Sequence, residues 1–111
     1  MILRRGGVYY NAVLAGFIEE HDDRYLFYYA PEYLARENPR TVSLTLPLQE
    51  PPFFSERLFS FFDGLIPEGW LLDTAEQNWK LDPRDRMGLL LACCRDTIGA
   101  VTVEKVDLDG Q

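Results

Sequence analysis

The chain has 111 residues, of which 47% are hydrophobic and 14% aromatic, and its formal net charge is −7. This length and composition predict one domain, residues 1–111, with a single core, and they argue against general disorder. No apolar run approaches the roughly 20 residues of a membrane-spanning helix, and residues 1–7 are too poor in apolar residues for a signal peptide, so we expect a cytoplasmic protein. The acidic balance disfavours direct binding to nucleic acid, because phosphate contacts require clustered Lys and Arg.

The N-terminal part of the chain is typical of β-strands joined by short turns. Strands are predicted over Val8–Tyr10, Val13–Glu20 and Arg24–Ala30, with a turn at Asn11-Ala12 between the first two. The three strands together predict an antiparallel meander, and residues 1–6 ahead of it are expected to be loose.

The next stretch predicts a short helix and a fourth strand. Pro31 fits the first turn of a helix over Pro31–Glu37, since proline lacks the N–H that a helix start leaves unpaired. Thr41–Leu46 has strand character, with Leu44 and Leu46 expected to face the same way.

A longer helix is predicted over Glu56–Ile66, with Ser55 as its N-cap. Its apolar residues recur at helical spacing, which predicts a buried stripe. Phe62 and Leu65 lie on that stripe and are expected to belong to the core.

The C-terminal part predicts two further helices and a last strand. Pro67 opens a helix that extends to Trp79, and Asp82-Pro83 opens another. Ala100–Val106 predicts the last strand, and residues 107–111 are expected to be loose. The expected fold is therefore α+β, a small antiparallel sheet packed with three to four helices. The buried stripe of the last helix is predicted to be Met87, Leu90, Leu91 and Cys94.

The helix from Pro67 to Trp79 places one tryptophan on an unexpected face. Its other apolar residues fall within one arc, and Trp70 lies roughly 150° from the centre of that arc at about 100° per residue. An exposed tryptophan is a common anchor of protein interfaces. Trp70 is therefore predicted to face a partner, the alternative being that a loop or the strand layer covers it. The predicted partner-binding residues are Trp70, Gly69, Glu68, Leu65 and Asp73.

No motif for catalysis, cofactor binding or metal binding is found in the sequence. It has no glycine-rich phosphate loop, no Ser/His/Asp set and no Cys/His cluster at ligand spacing. His21, the only histidine, sits in an acidic turn and is interpreted as part of a solvated hairpin tip rather than as a metal ligand. Cys93 and Cys94 are adjacent, which favours reduced structural thiols. We therefore expect no cofactor, no metal and no enzymatic activity.

Four stretches of the chain resemble the N-terminal subdomain of HipA-family serine/threonine kinase toxins. The more specific patterns are Phe-Phe-Asp-x-Leu-x-Pro, at residues 61–67, and Arg-Asp-x-x-Gly-Ala-Val, at residues 95–101. The resemblance implies an α+β subdomain that carries no catalytic residues and lies in front of a kinase core. The matching stretches, in the order of the family, are residues 27–35, 43–48, 58–68 and 88–103.

HipA toxins continue for several hundred residues beyond this region, so the short chain is similar to the split HipBST version of the family. In such systems a small antitoxin (HipS) is encoded apart from a shortened kinase (HipT), and a helix-turn-helix protein (HipB) supplies DNA binding. The resemblance thus implies an antitoxin that binds a HipT-like kinase near its active site, in a ternary complex with a HipB-like protein. Two alternatives stay open, a non-catalytic fragment of a full-length HipA kinase and an adaptor that joins the kinase to its DNA-binding partner.

Overall fold

The computed structural model describes residues 1–67, 82–95, 97 and 99–108, and within them it contains a five-stranded antiparallel sheet and three helices. The strands are β1 (Ile2–Tyr10), β2 (Val13–His21), β3 (Tyr25–Tyr29), β4 (Phe53–Ser55) and β5 (Val101–Val106), and the helices are α1 (Pro31–Leu34), α2 (Ser60–Asp63) and α3 (Arg86–Cys93). The strand order across the sheet is β4-β3-β2-β1-β5. The architecture is the α+β fold that the sequence predicts.

The β1–β2 hairpin turns at Asn11-Ala12, as predicted, with positive φ angles of 49° and 66° at the two turn residues. Positive φ at both central residues gives the backbone twist that a two-residue hairpin needs. β1 begins at Ile2 rather than at Val8, so the expectation of a loose segment over residues 1–6 is wrong. β1 pairs with β2 along its whole length on one side, and from Arg5 onward it also pairs with β5 on the other.

One face of the sheet carries the core. Val8, Ile18 and Phe27 are fully buried there, and the ring of Phe62 in α2 packs against Phe27. Gly6 lets α3 approach β1 closely, because a Cβ at this position would lie 2.7 Å from Leu91 Cδ2. All four predicted stripe residues of α3 are buried, which confirms that part of the prediction: Met87, Leu90, Leu91 and Cys94.

The predicted strand over Thr41–Leu46 is wrong. This stretch is a turn in which Leu46 N–H donates to the Ser43 carbonyl at 3.0 Å, so Leu44 is exposed while Leu46 is buried. Two tyrosine hydroxyls hold it in place instead of a strand ladder. Tyr29 donates to the Leu46 carbonyl and accepts from Val42 N–H at 3.1 Å.

Tyr33, in α1, acts in the same way on the chain just before this turn. Its hydroxyl donates to the Arg40 carbonyl at 2.6 Å and accepts from Arg40 N–H at 3.2 Å. The rings of Tyr29 and Tyr33 stack with centroids 6.1 Å apart. α1 ends at Leu34, earlier than the predicted Glu37.

The predicted helix over Glu56–Ile66 is also wrong in its first half. Phe53–Ser55 forms β4 against β3, and helix α2 is confined to Ser60–Asp63. The Ser55 hydroxyl accepts from Arg57 N–H at 3.3 Å in a turn, so it does not cap a helix. Phe62 is fully buried as predicted, whereas Leu65 is half-buried against the edge of the core.

α3 begins at Arg86 with Asp85 as its N-cap, later than the predicted start at Asp82-Pro83. The Asp85 carboxylate accepts from Gly88 N–H at 3.0 Å and also binds the Arg4 guanidinium, at 2.7 and 2.9 Å. Arg4 binds Glu20 as well, at 2.6 and 3.1 Å. This ion-pair network ties the start of α3 to β1 and β2. It also raises the pKa of Arg4 and lowers the pKa of Asp85 through their mutual hydrogen bonds.

No helix in the described ranges is both long and apolar enough to span a membrane.

Candidate partner-binding surface

The predicted partner-binding segment starts at the end of α2. Gly64 N–H donates to the Ser60 carbonyl at 2.9 Å, and Leu65 N–H donates to the Phe62 carbonyl at 3.0 Å. The chain then buries Ile66 in the core and reaches the surface at Pro67, which is exposed. The segment is therefore held by two buried side chains, those of Phe62 and Ile66, up to the point where it reaches solvent.

An ion pair reinforces this anchorage. Arg86 Nε lies 2.6 Å from Asp63 Oδ1, which joins the end of α2 to the first turn of α3. Both side chains are more than one-third exposed, so the pair adds at most about 1 kcal/mol of stability. The anchorage of the segment therefore rests mainly on the burial of Phe62 and Ile66.

Of the five predicted partner-binding residues, the structure places Leu65. Its side chain is half-buried and packs against the core cluster, so only part of it is accessible to a partner. Glu68, Gly69, Trp70 and Asp73 lie outside the described residues, and their predicted roles in partner binding stay predictions. The end of the predicted helix at Trp79 lies outside them as well.

A polar cluster that the sequence did not reveal lies on the opposite face of the sheet. Glu19 is only 4% exposed, and its carboxylate accepts hydrogen bonds from Tyr28 at 2.6 Å and from Arg5 at 3.0 Å. The other carboxylate oxygen lies 2.9 Å from His21 Nε2. The Arg5 guanidinium also lies 5.7 Å from the centre of the Phe17 ring. His21 is thus packed against Glu19 rather than solvated, contrary to the sequence interpretation.

The electrostatics of this cluster keep Glu19 ionised. Burial is the largest single effect and raises the pKa of Glu19, whereas the hydrogen bonds from Tyr28 and His21 lower it. With the charge of Arg5, they hold the pKa of Glu19 below its ordinary value. Burial and the bond to Glu19 raise the pKa of Tyr28 to about 12. Because every oxygen of Glu19 is engaged, the cluster is suited to holding strands together rather than to proton transfer.

The two cysteines and the acidic residues offer no metal centre in the described ranges. No group of three or more His, Cys, Asp or Glu side chains there could hold a metal ion. Cys94 is fully buried, and burial raises the pKa of its thiol to about 12, so the thiol stays protonated at neutral pH.

The five-stranded sheet and the three helices in the described residues define a small α+β domain. Comparison with known proteins identifies the family to which this domain belongs. The sequence model of one protein family, the HipA N-terminal domain, matches residues 7–104 of this chain. A solved structure described as the N-terminal domain of HipA toxin superposes with a TM-score of 0.72 at 26% identity, over 96% of this chain and 95% of that chain. An uncharacterized protein of Haemophilus influenzae (strain Rd) is 30% identical over 104 residues, which are 94% of each chain. The chain belongs to the HipA N-terminal domain family.

Proposed function

We propose that the chain is an antitoxin that binds and neutralises a separate HipA-type serine/threonine kinase. The observation that carries this proposal is membership of the HipA N-terminal domain family over residues 7–104. In HipA toxins this subdomain lies beside the kinase core and carries no catalytic residues. A separately encoded subdomain would therefore present a surface that is complementary to a kinase core. In the same proposal a HipB-like helix-turn-helix protein supplies DNA binding, because the net charge of −7 gives this chain no basic footprint for phosphates.

The contact that we propose runs from Leu65 to Leu71, with Trp70 inserted into a pocket near the kinase active site. Trp70 lies off the apolar arc of its predicted helix, and Gly69 beside it leaves room for close approach. The burial of Phe62 and Ile66 supports this, since it fixes where the segment leaves the core. Loss of such an anchor commonly costs about 2–4 kcal/mol, which is roughly 30- to 800-fold in affinity.

The test is the Trp70→Ala variant of the 111-residue chain, with Leu3→Ala as a matched control at an exposed apolar residue on β1. Both variants are co-expressed with a HipT-like kinase, cell growth is scored, and the dissociation constant and thermal stability are measured on purified proteins. We expect Trp70→Ala to release the kinase at unchanged thermal stability, and Leu3→Ala to neutralise it normally. A Trp70→Ala protein that folds and neutralises with parental affinity would refute Trp70 as the anchor.

The alternative function is that of a non-catalytic subdomain within a full-length HipA-type kinase. It is favoured by the match to the N-terminal domain of HipA toxin, which covers 95% of that chain. Immunodetection in the source cells separates the two functions by the size of the polypeptide. Under either function the isolated chain should bind no ATP, and specific nucleotide binding by calorimetry would contradict both.

A further inference from the structure

The two edges of the sheet differ in what covers them. The middle of β5 is blocked on its outer side, because Val103 N–H donates to the Cys94 carbonyl at 2.8 Å. The hydroxyl of Thr97 donates to the Val101 carbonyl at 2.6 Å. Natural proteins commonly protect edge strands in this way, since an open edge is a template for pairing with another chain.

β4 forms the other edge, and the residues that the structure describes leave it open. Its three residues pair with β3, and in the described part of the chain no further backbone group bonds to Phe53, Phe54 or Ser55. The side chain of Phe54 is 54% exposed and is contacted by the Arg24 guanidinium, 4.9 Å from the ring centre. An open strand that also displays a large aromatic side chain offers both main-chain hydrogen bonds and an apolar contact.

A groove runs beside this edge, with a volume of about 670 Å³. It is bounded by β4, by the turn that carries Leu46 and by the chain that leads into α2. Among the described residues that line the groove, Glu56 and Arg57 are charged, one of each sign, so this lining has no net charge. Its apolar wall consists of Leu46, Phe53, Phe54, Leu58, Phe59 and Phe61.

We infer that this groove binds an extended, uncharged and apolar segment of the partner kinase, which adds to the sheet as a strand beside β4. The identity of the partner rests on the proposed function. The argument for a further contact is one of area, because the proposed segment from Leu65 to Leu71 has seven residues, whereas a stable complex uses roughly 20–30 residues and buries about 800 Å² on each partner. The groove ends at Phe61, one helical turn before Leu65, so it continues the proposed kinase-binding segment.

The geometry favours a segment of the kinase over a second copy of this chain. β4 has three residues, which span about 10 Å at roughly 3.3 Å per residue, and a concave wall rises beside it. A strand of a few residues with bulky apolar side chains at alternate positions fits such a short edge, in the manner of other strand-addition complexes. Two globular copies that met at so short an edge would fall far below the area of a stable dimer.

The experiment measures amide hydrogen exchange of the 111-residue chain with and without the HipT-like kinase, together with the affinities of two variants. Phe54→Ser removes the exposed aromatic side chain at the open edge, and Leu3→Ser is the control at an exposed apolar residue with two strands between it and β4. We expect slower exchange at the amides of β4 in the complex, a weakening of ten-fold or more for Phe54→Ser, and no change for Leu3→Ser. Thermal unfolding of each free variant establishes that it is folded.

The outcomes separate this inference from the proposed function. If Trp70→Ala weakens binding while Phe54→Ser and the exchange at β4 do not change, the strand addition is refuted and the antitoxin function stands. If Phe54→Ser weakens binding and Trp70→Ala does not, the strand addition stands and the tryptophan anchor is refuted. A kinase that does not bind the chain at all overturns both.

Discussion

Truncation of Phe62 to alanine tests the core that holds the start of the proposed binding segment. Phe62 is fully buried, and its ring centroid lies 5.4 Å from that of Phe27 and 5.2 Å from that of Phe61. Removal of the ring forfeits roughly 2 kcal/mol of transfer free energy. A phenyl-sized cavity of about 80 Å³ adds roughly 2 kcal/mol at about 24 cal/mol per Å³. The expected loss of about 3–5 kcal/mol is a large part of the stability of a small domain.

The assay is urea and thermal unfolding, with Phe54→Ala as the matched control. Both variants remove a phenyl ring, but Phe54 is 54% exposed, so its loss should cost less than about 1 kcal/mol. At about 4–6 °C per kcal/mol for a chain of this length, Phe62→Ala should lower the melting temperature by about 12–30 °C. Equal melting temperatures for the two variants would refute the placement of α2 against the sheet.

Three further predictions concern the sheet and the start of α3. Gly16→Ala should destabilise the chain by about 1–3 kcal/mol or more, because the new Cβ would lie 2.2 Å from the Tyr28 carbonyl oxygen; an unchanged urea midpoint would contradict this. Asp85→Ala should cost about 1–2 kcal/mol in the same assay, since Gly88 N–H loses its cap, and a cost below about 0.3 kcal/mol would show that the cap is dispensable. The lowered pKa of Glu19 means that its ionised form contributes stability above the ordinary pKa of 4.5, and this contribution is lost as the pH falls through the lower folded-state pKa. Stability measured against pH should therefore fall below about pH 4.5, and Glu19→Gln should flatten that fall; an equally steep fall in Glu19→Gln would contradict the assignment.

Elements that depend on local patterns were predictable from the sequence. The Asn11-Ala12 turn, the buried stripe of α3 and the strand at Val101–Val106 are each encoded by residues close together in the chain. The sequence pattern also predicted the burial of Phe62, although the helix around it proved much shorter. Hydrophobic spacing reports which side chains are buried more reliably than it reports where an element begins.

The parts that could not be predicted depend on contacts between distant residues. β4 has three residues, too few to show alternation, and it is a strand because it pairs with β3 across a long connection. The turn over residues 41–46 resembles a strand in composition, but the hydroxyls of Tyr29 and Tyr33 determine its path. Such side-chain-to-backbone bonds leave no periodic signal in the sequence.

The same distinction, between local patterns and contacts of distant residues, applies to the polar cluster around Glu19 and to the candidate partner-binding residues. The burial of Glu19 follows from the register that brings Arg5 and Tyr28 to it from two neighbouring strands, and neither partner is near it in sequence. Leu65 was predicted to serve both the core and the partner surface, and its half-buried position is compatible with both roles. Trp70 lies outside the described residues, so its role stays a prediction that the variant test decides.

The unequal edges of the sheet bear on how the chain self-associates at high concentration. Growth of a strand-paired polymer requires each molecule to offer two pairing edges, one to the molecule before it and one to the molecule after it. In the described part of the chain, the bonds from Val103 and Thr97 already occupy the middle of the β5 edge, whereas β4 has no backbone partner on its outer side. Head-to-tail growth through β4 and β5 is therefore disfavoured among the described strands, and a pair that met at two β4 edges would share only three residues from each molecule, too few for a stable dimer.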